Sequence, residues 1–118
     1  TASKAVLPVF LQHQRGSIVC VSAGAAVKGE AGIAAYAASK AGVSRFVESL
    51  AAELKDKGVR VNAVAPSIID TQPNREAMPD ADFSRWVSPA ALAKVMLFLA
   101  SDEASAVTGS ILPVTGRV

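Results

Sequence analysis

The chain has 118 residues, which suits one compact domain, and 51% of them are hydrophobic, which excludes a disordered chain. Its 12 basic and 10 acidic residues give a net charge of +2 without a basic stripe, so we expect neither nucleic acid nor a membrane surface as a partner. No apolar run reaches the roughly 18 residues that cross a bilayer.

The first half of the chain predicts two helices and one strand. Residues 1–14 have apolar side chains at helical spacing, and Gly16 is expected to end this helix in a left-handed conformation. The β-branched run 17–21 predicts a buried strand, and 34–57 predicts a long helix. Because the first helix has no entry segment, the chain is expected to start within a larger architecture.

The second half continues the alternation. Residues 59–65 predict a strand that Pro66 ends, and 67–84 reads as a polar loop. A serine cap and a first-turn proline predict a helix over 88–101. The last strand is expected over 109–114, at a sheet edge because it contains a proline. Alternation at these lengths predicts a parallel sheet.

The single cysteine, Cys20, lies inside an apolar run. One cysteine forms no internal disulfide, and no zinc-binding spacing occurs, so we expect no metal site. These features are typical of a reducing compartment, and no signal segment opens the chain. We therefore expect a cytoplasmic protein.

The only tyrosine, Tyr36, is followed four residues later by Lys40. On a helix the two side chains share one face, one turn apart. A free tyrosine has a pKa of about 10, and an ammonium about 4 Å away would favour the phenolate by roughly 4 kcal/mol at an effective dielectric of 20. Such a phenol can act as a general acid or base near neutral pH. Taken alone, the pair is more typical of a surface contact, so the surrounding sequence decides its meaning.

Three runs match one known family in order and spacing: GSIVCVSAGAAVKGEAGIAAYAASKAGVSRFVESLAAEL, GVRVNAVAPSIIDT and FLASDEASAVTGSILPV. They contain a strand ending in serine, a Y-A-A-S-K helix, an N-A-V-A-P strand and a terminal T-G strand. The chain resembles the C-terminal half of the short-chain dehydrogenase/reductase family over nearly its whole length. The resemblance implies an α/β fold, the C-terminal half of a Rossmann-like doubly wound parallel sheet with three strands alternating with three helices.

The family transfers hydride between a nicotinamide cofactor, NADH or NADPH, and a small-molecule substrate. The resemblance implies that Tyr36 exchanges the proton and that Lys40 favours its phenolate and holds the cofactor's ribose hydroxyls. Both would therefore be catalytic and cofactor-binding. Pro66, Ile68 and Thr71 match the segment that surrounds the nicotinamide carboxamide.

Two departures from the family pattern bear on activity. The substrate-polarising serine usually lies thirteen residues before the tyrosine, where this chain has Ala23. Ser22 is one residue too early, on the other face of a strand end, so it is a catalytic candidate only if the loop bulges. The glycine-rich phosphate-binding turn is not found, since the Gly24–Gly32 loop does not match it. We expect 1–118 to be a single partial domain that lacks the N-terminal dinucleotide phosphate-binding half.

A narrower resemblance concerns the stretch TQPNREAMPDADFSRW, which is similar to a loop of dihydropteridine reductases. These enzymes reduce a quinonoid dihydropterin with NADH, and they also have an A-G run in place of the serine. A quinonoid pterin is already electrophilic and needs mainly a proton donor, here Tyr36. The resemblance therefore favours a dihydropterin-like substrate and NADH.

Two alternatives remain open. The substrate is a generic carbonyl or 3-oxoacyl compound, or the chain is a non-catalytic fragment that acts only in assembly. The helices over 1–14 and 34–57 are apolar on more than one side, and the matching helices of the family pair with a second subunit. We therefore expect a homodimer or tetramer.

Overall fold

The computed structural model describes residues 1–118. It contains four α-helices, α1 (Ala2–His13), α2 (Ala34–Leu54), α3 (Gln72–Ala77) and α4 (Pro89–Ala100), and three strands, β1 (Gly16–Val21), β2 (Val59–Pro66) and β3 (Ile111–Val114). Short 3-10 turns lie at Gly24–Val27, Lys55–Lys57, Phe83–Arg85 and Asp102–Ala104.

The three strands form one parallel sheet in the order β1-β2-β3. Val21 at the end of β1 pairs with Val64, and Pro66 at the end of β2 pairs with Val114. The predicted α/β class and the alternation of three strands with three long helices are confirmed. Because the strands are parallel, their carboxyl ends meet at one edge, where ligands bind in open α/β sheets.

Helices cover both faces of the sheet. On β2, Val59, Val61 and Ala63 point to one face and pack against Val47 and three further side chains of α2, Leu50, Ala51 and Leu54. On the opposite face Val64 packs with Val87, Leu92 and Leu99, the last two from α4. The alternation of side chains along a strand thus produces the doubly wound arrangement. None of the four α-helices combines the length and the hydrophobicity that a membrane span requires.

The predicted cap of the first helix is wrong. Gln14, with φ 50°, is the left-handed residue that ends α1, and Gly16 is the first residue of β1. A Cβ at position 16 would overlap the Phe10 ring, so this glycine permits a close approach rather than a turn. Gly58 does end the α2 region, with φ 74°, where a Cβ would collide with the Gln14 carbonyl.

The prediction of a loop without regular structure over 67–84 is also wrong. Thr71 caps α3 by accepting a hydrogen bond from the Asn74 amide at 3.4 Å, and Pro73 stands in the first turn. Asp82 caps the 3-10 turn that follows. The abundance of Pro, Asp and Asn that suggested a loop here supplies the start signals of two short helical turns. By contrast, the predicted Ser88 cap of α4 is confirmed, since its hydroxyl accepts from the Ala91 amide at 3.1 Å.

Candidate active site

The residues predicted for chemistry gather at the carboxyl edge of the sheet. Tyr36 and Lys40 lie in the first two turns of α2, which follows the loop after β1. Pro66 ends β2, and Ile68 and Thr71 follow it in the connection to α3. Parallel pairing of β1 with β2 therefore brings the predicted proton-transfer pair and the predicted cofactor segment to one edge.

Lys40 is held against the end of β1. Its ammonium donates a hydrogen bond to the Val21 carbonyl oxygen at 3.1 Å, which fixes the charge at the carboxyl edge. Tyr36 lies one turn earlier on the same helix and is 50% exposed. The arrangement leaves the phenol open to solvent, with a fixed positive charge on the same helix face.

Ser22 is buried and points into α2. Its hydroxyl lies 2.7 Å from the Ser44 hydroxyl and donates to the Lys40 carbonyl oxygen at 3.1 Å, and only 1% of the residue is exposed. The loop does not bulge to bring this hydroxyl to the exposed edge. Ser22 instead ties the end of β1 to the helix turn that contains Lys40, so that both the carbonyl and the ammonium of Lys40 are bonded to the end of this strand.

The position of the usual polarising serine is filled by a methyl group. Ala23 is 6% exposed and lines a cavity of about 420 Å³ together with Gly24, Ala65 and Thr115. Neither Tyr36 nor Lys40 lines this cavity. No hydroxyl is therefore available at position 23 to polarise a substrate oxygen.

The segment Pro66–Thr71 is fixed mainly through its backbone. The Val87 amide donates to the Ile68 carbonyl at 3.0 Å, and the Asp70 amide donates to the Val87 carbonyl at 2.8 Å. Pro66 is buried, while Ile68 and Thr71 are half-buried. The predicted cofactor residues are thus part of an ordered ledge beside the sheet, with the Thr71 hydroxyl engaged as the cap of α3.

The loop that resembled a pterin-reductase loop binds mainly to itself. Asp70 and Arg75 form two hydrogen bonds at 2.6 and 2.8 Å, and the Arg75 guanidinium lies over the Phe83 ring at 4.8 Å. The Phe83 ring packs on Trp86 with centroids 4.8 Å apart, and the Asn74 amide group donates to the Ile69 carbonyl at 2.8 Å. The Arg75 guanidinium lowers the pKa of the Asp70 carboxyl, first by hydrogen bonding and then by charge.

Most of the residues that distinguish this loop are therefore engaged in contacts within the loop itself. In the sequence alone these residues favour a dihydropterin-like substrate, and the Asp70–Arg75 pair is not predicted. Their five-residue separation is not a helical contact spacing, so no periodicity pointed to it.

A second cavity of about 440 Å³ lies at the opposite edge, where the helices end. Arg60 lines it and donates to the Leu99 and Ser101 carbonyls, both at 2.8 Å, and Arg15 pairs with Asp102 at 2.9 Å. These cations complement exposed helix carbonyls and a carboxylate, as expected at helix C-termini. No group of three or more His, Cys, Asp or Glu side chains lies close enough to hold a metal ion.

The comparisons with known proteins agree with this geometry. Residues 1–116 match the family described as enoyl-(acyl carrier protein) reductase, which covers nearly the whole chain. The solved structures that share the fold include short-chain dehydrogenase/reductase proteins, one of them matched over 97% of this chain at 38% identity and a TM-score of 0.88. The chain belongs to the short-chain dehydrogenase/reductase family of oxidoreductases.

Several of its named relatives are reductases or dehydrogenases. The 3-oxoacyl-[acyl-carrier-protein] reductase of Thermotoga maritima is 41% identical over 120 residues, covering 94% of this chain and 48% of the relative. The crystal structure of a 3-oxoacyl-[acyl-carrier protein] reductase from Brucella melitensis with bound NAD superposes with a TM-score of 0.85 at 37% identity, over 99% of this chain and 46% of that one.

A gluconate 5-dehydrogenase from Burkholderia cenocepacia in complex with NADP and tartrate superposes with a TM-score of 0.86 at 28% identity, over 97% of this chain and 49% of that one. The chain spans about half the length of the relatives it matches. The family expectation is confirmed. The narrower expectation of a dihydropteridine reductase is not supported, because these relatives are 3-oxoacyl reductases and a sugar-acid dehydrogenase.

Proposed function

We propose that this chain is the part of an NAD(P)H-dependent reductase that supplies the proton donor and the nicotinamide-side ledge. The substrate is a carbonyl compound of the 3-oxoacyl type, the alternative substrate class that the sequence left open. The main observation behind this proposal is that the Lys40 ammonium is held 3.1 Å from the Val21 carbonyl oxygen, on the same helix as the half-exposed Tyr36. Similarity to 3-oxoacyl reductases supports the substrate class.

The chemistry of this half is proton transfer. As hydride reaches the carbonyl carbon, negative charge develops on the oxygen, and the Tyr36 phenol donates its proton there. Lys40 places its ammonium on the same helix face as this phenol, one turn further along the helix. The bonds from Ser22 and Lys40 to neighbouring backbone keep that charge in place.

The residues present fit a nicotinamide cofactor, NADH or NADPH. The Lys40 ammonium can donate to ribose hydroxyls, and the ledge of Pro66, Ile68 and Thr71 offers backbone and apolar surface to a flat ring. The cofactor would supply the hydride. Only the resemblance to pterin reductases favours NADH. Of the solved relatives named above, one contains NAD and another NADP, so the proposal includes both NADH and NADPH.

A quinonoid dihydropterin is the second candidate substrate. The observation that favours it is Ala23, since a methyl group there leaves a carbonyl oxygen with Tyr36 as its only donor from this chain. The resembling loop adds less support, because its polar residues are occupied with one another. The carbonyl proposal is preferred because two of the relatives named above are 3-oxoacyl reductases.

The test uses the longer protein of which we propose this chain to be a part, with an N-terminal dinucleotide-binding half upstream, hereafter the parent protein. We expect NADPH- or NADH-dependent reduction of a 3-oxoacyl thioester, and we expect Tyr36→Phe to lower kcat by about 10²-fold to 10⁴-fold, the usual contribution of a general acid. Glu53→Gln, on an exposed position near the end of the same helix, is the matched control. Full activity of Tyr36→Phe would contradict the proton-donor role, and turnover of quinonoid dihydropterin alone would select the second candidate.

A non-catalytic role in assembly is the remaining alternative. Titration of NADH into the 118-residue chain, followed by nicotinamide fluorescence, separates the two. Saturable binding by this chain would exclude a purely assembling fragment, whereas a parent protein that binds no nucleotide would contradict the proposed function.

A further inference from the structure

We propose that Arg75 is a positioning residue that holds the ledge, Pro66–Thr71, in its binding conformation. This inference rests on the proposed function, because the role of the ledge in cofactor binding comes from it. Arg75 itself lies outside the predicted cofactor segment, and its effect passes through Asp70 on one side and Phe83 on the other.

The ledge is anchored at both of its ends. Before Thr71, the backbone of Ile68 and Asp70 pairs with Val87 through two hydrogen bonds of 3.0 and 2.8 Å. After Thr71, the chain turns into the short helix α3, which contains Arg75. A six-residue helix is only marginally stable alone, so its direction depends on side chains that bind it to its surroundings.

Arg75 supplies that connection. Its guanidinium makes two hydrogen bonds to the Asp70 carboxylate, at 2.6 and 2.8 Å, and its flat face covers the Phe83 ring at 4.8 Å. Phe83 packs on Trp86, whose neighbour Val87 pairs with the ledge again. The contacts therefore close a ring that begins and ends at the ledge. A planar, five-donor cation can bind a carboxylate and stack on a ring at once, which lysine cannot.

The exposure of the pair separates a positioning role from a stabilising one. The Arg75 side chain is 47% exposed and the Asp70 side chain 23%, so the pair lies at the surface, where ion pairs contribute little to global stability. Its loss should leave the core intact and change only the path of the ledge. Small displacements of a binding surface can cost up to about 100-fold in function.

The experiment measures nicotinamide binding by the parent protein with its upstream half. We expect Arg75→Gln and Asp70→Asn each to raise the Kd and the KM for NAD(P)H by about tenfold, with a smaller change in kcat at saturating cofactor and little change in Tm. Arg75→Lys keeps the charge but not the fork or the stacking face, and we expect an intermediate loss.

Arg15→Gln is the matched control. It breaks a second exposed, two-bond arginine–aspartate pair, with Asp102, at the opposite edge of the sheet, and we expect wild-type cofactor affinity. The double variant Asp70→Arg with Arg75→Asp exchanges the two charges. We expect it to recover part of the cofactor affinity lost in Asp70→Asn or Arg75→Gln, because it restores the ion pair.

Unchanged cofactor affinity in both Arg75→Gln and Asp70→Asn would overturn the inference, and so would an equal loss in Arg15→Gln. These results differ from failure of the proposed function. In that case the wild-type parent protein itself binds no nicotinamide nucleotide, and the positioning role of Arg75 falls with it.

Discussion

At the scale of single residues, one step along the chain decides what the end of β1 can do. Ser22 turns its hydroxyl inward, where it binds Ser44 and the Lys40 carbonyl, and Ala23 presents a methyl group beside a cavity of about 420 Å³. Successive side chains at a strand end point in different directions, so a serine one position early does not replace the missing one. The hydroxyl of Ser22 is used in packing, and the side chain at position 23 has no hydrogen-bond donor to offer a substrate oxygen.

Ala23→Ser tests the role of position 23 in the parent protein. If the substrate is a ketone or 3-oxoacyl compound, a hydroxyl there adds a donor to the developing oxyanion. One such donor contributes about 10² to 10³ in established sites, and we expect a gain in kcat of about tenfold. A quinonoid dihydropterin would gain little. Steady-state rates with both substrates check this, and no gain with any ketone would contradict the role given to position 23.

Ser22→Ala should lower stability rather than remove a catalytic group. The substitution removes the 2.7 Å contact with the Ser44 hydroxyl and the bond to the Lys40 carbonyl, and it leaves these two groups only their own longer bond of 3.4 Å, at a cost of about 1–3 kcal/mol. Urea unfolding measures the loss, with the exposed Ser105→Ala as control. If stability is unchanged while kcat falls by orders of magnitude, Ser22 has the catalytic role instead.

At the scale of elements, the connection between β2 and α4 is a folded unit rather than a loop. Thr71 and Asp82 cap two short helical turns, and the Asp70–Arg75–Phe83–Trp86 cluster joins them. The chain's only tryptophan, Trp86, is 9% exposed within this unit. Its emission therefore reports whether the unit is closed.

We expect Trp86 emission to remain constant from pH 7 down to about pH 4, the ordinary aspartate range. Arg75 lowers the pKa of Asp70 in the folded protein. The stabilisation from this pair is therefore fully present above the pKa that Asp70 has in the unfolded chain, and it is lost only as the pH falls through the lower pKa of the folded state. Fluorescence titration measures this. Asp70→Asn should show the emission of the opened unit already at pH 7.

Asp82→Asn is the control for that titration, because hydrogen bonds from Ser84 also lower the pKa of Asp82. If the acid transition persists in Asp70→Asn and disappears in Asp82→Asn, the titrating group is Asp82 rather than Asp70, and the prediction is contradicted.

At the scale of the whole molecule, two surfaces are open for further contacts. β1 pairs on one side only, with β2, and α1 has no buried residue. The side chains of Val9 and Phe46 are 53% and 47% exposed on α1 and α2. An unpaired strand edge and exposed apolar side chains are places where a further chain segment can pack. The proposal of a homodimer or tetramer through 1–14 and 34–57 is consistent with them.

Light scattering of the parent protein tests the assembly proposal. We expect a dimer or tetramer, and we expect Phe46→Glu to shift it toward smaller species, because a buried interfacial charge without a partner is costly. Glu103→Gln, a change on an exposed residue of the turn after α4, should have no effect. A monomeric wild-type protein would contradict the proposal.

The sequence by itself determined the fold class, the alternation of strands and helices, the pairing of Tyr36 with Lys40 on one helix and the family. These features depend on local periodicity and on motif spacing, both of which can be read directly from the amino-acid sequence. Tertiary structure alone decided that Ser22 faces inward, that Gln14 rather than Gly16 ends α1, and that Asp70 binds Arg75. Each of these depends on which backbone or side chain arrives from elsewhere in the fold, and nothing in the local spacing encodes that arrival.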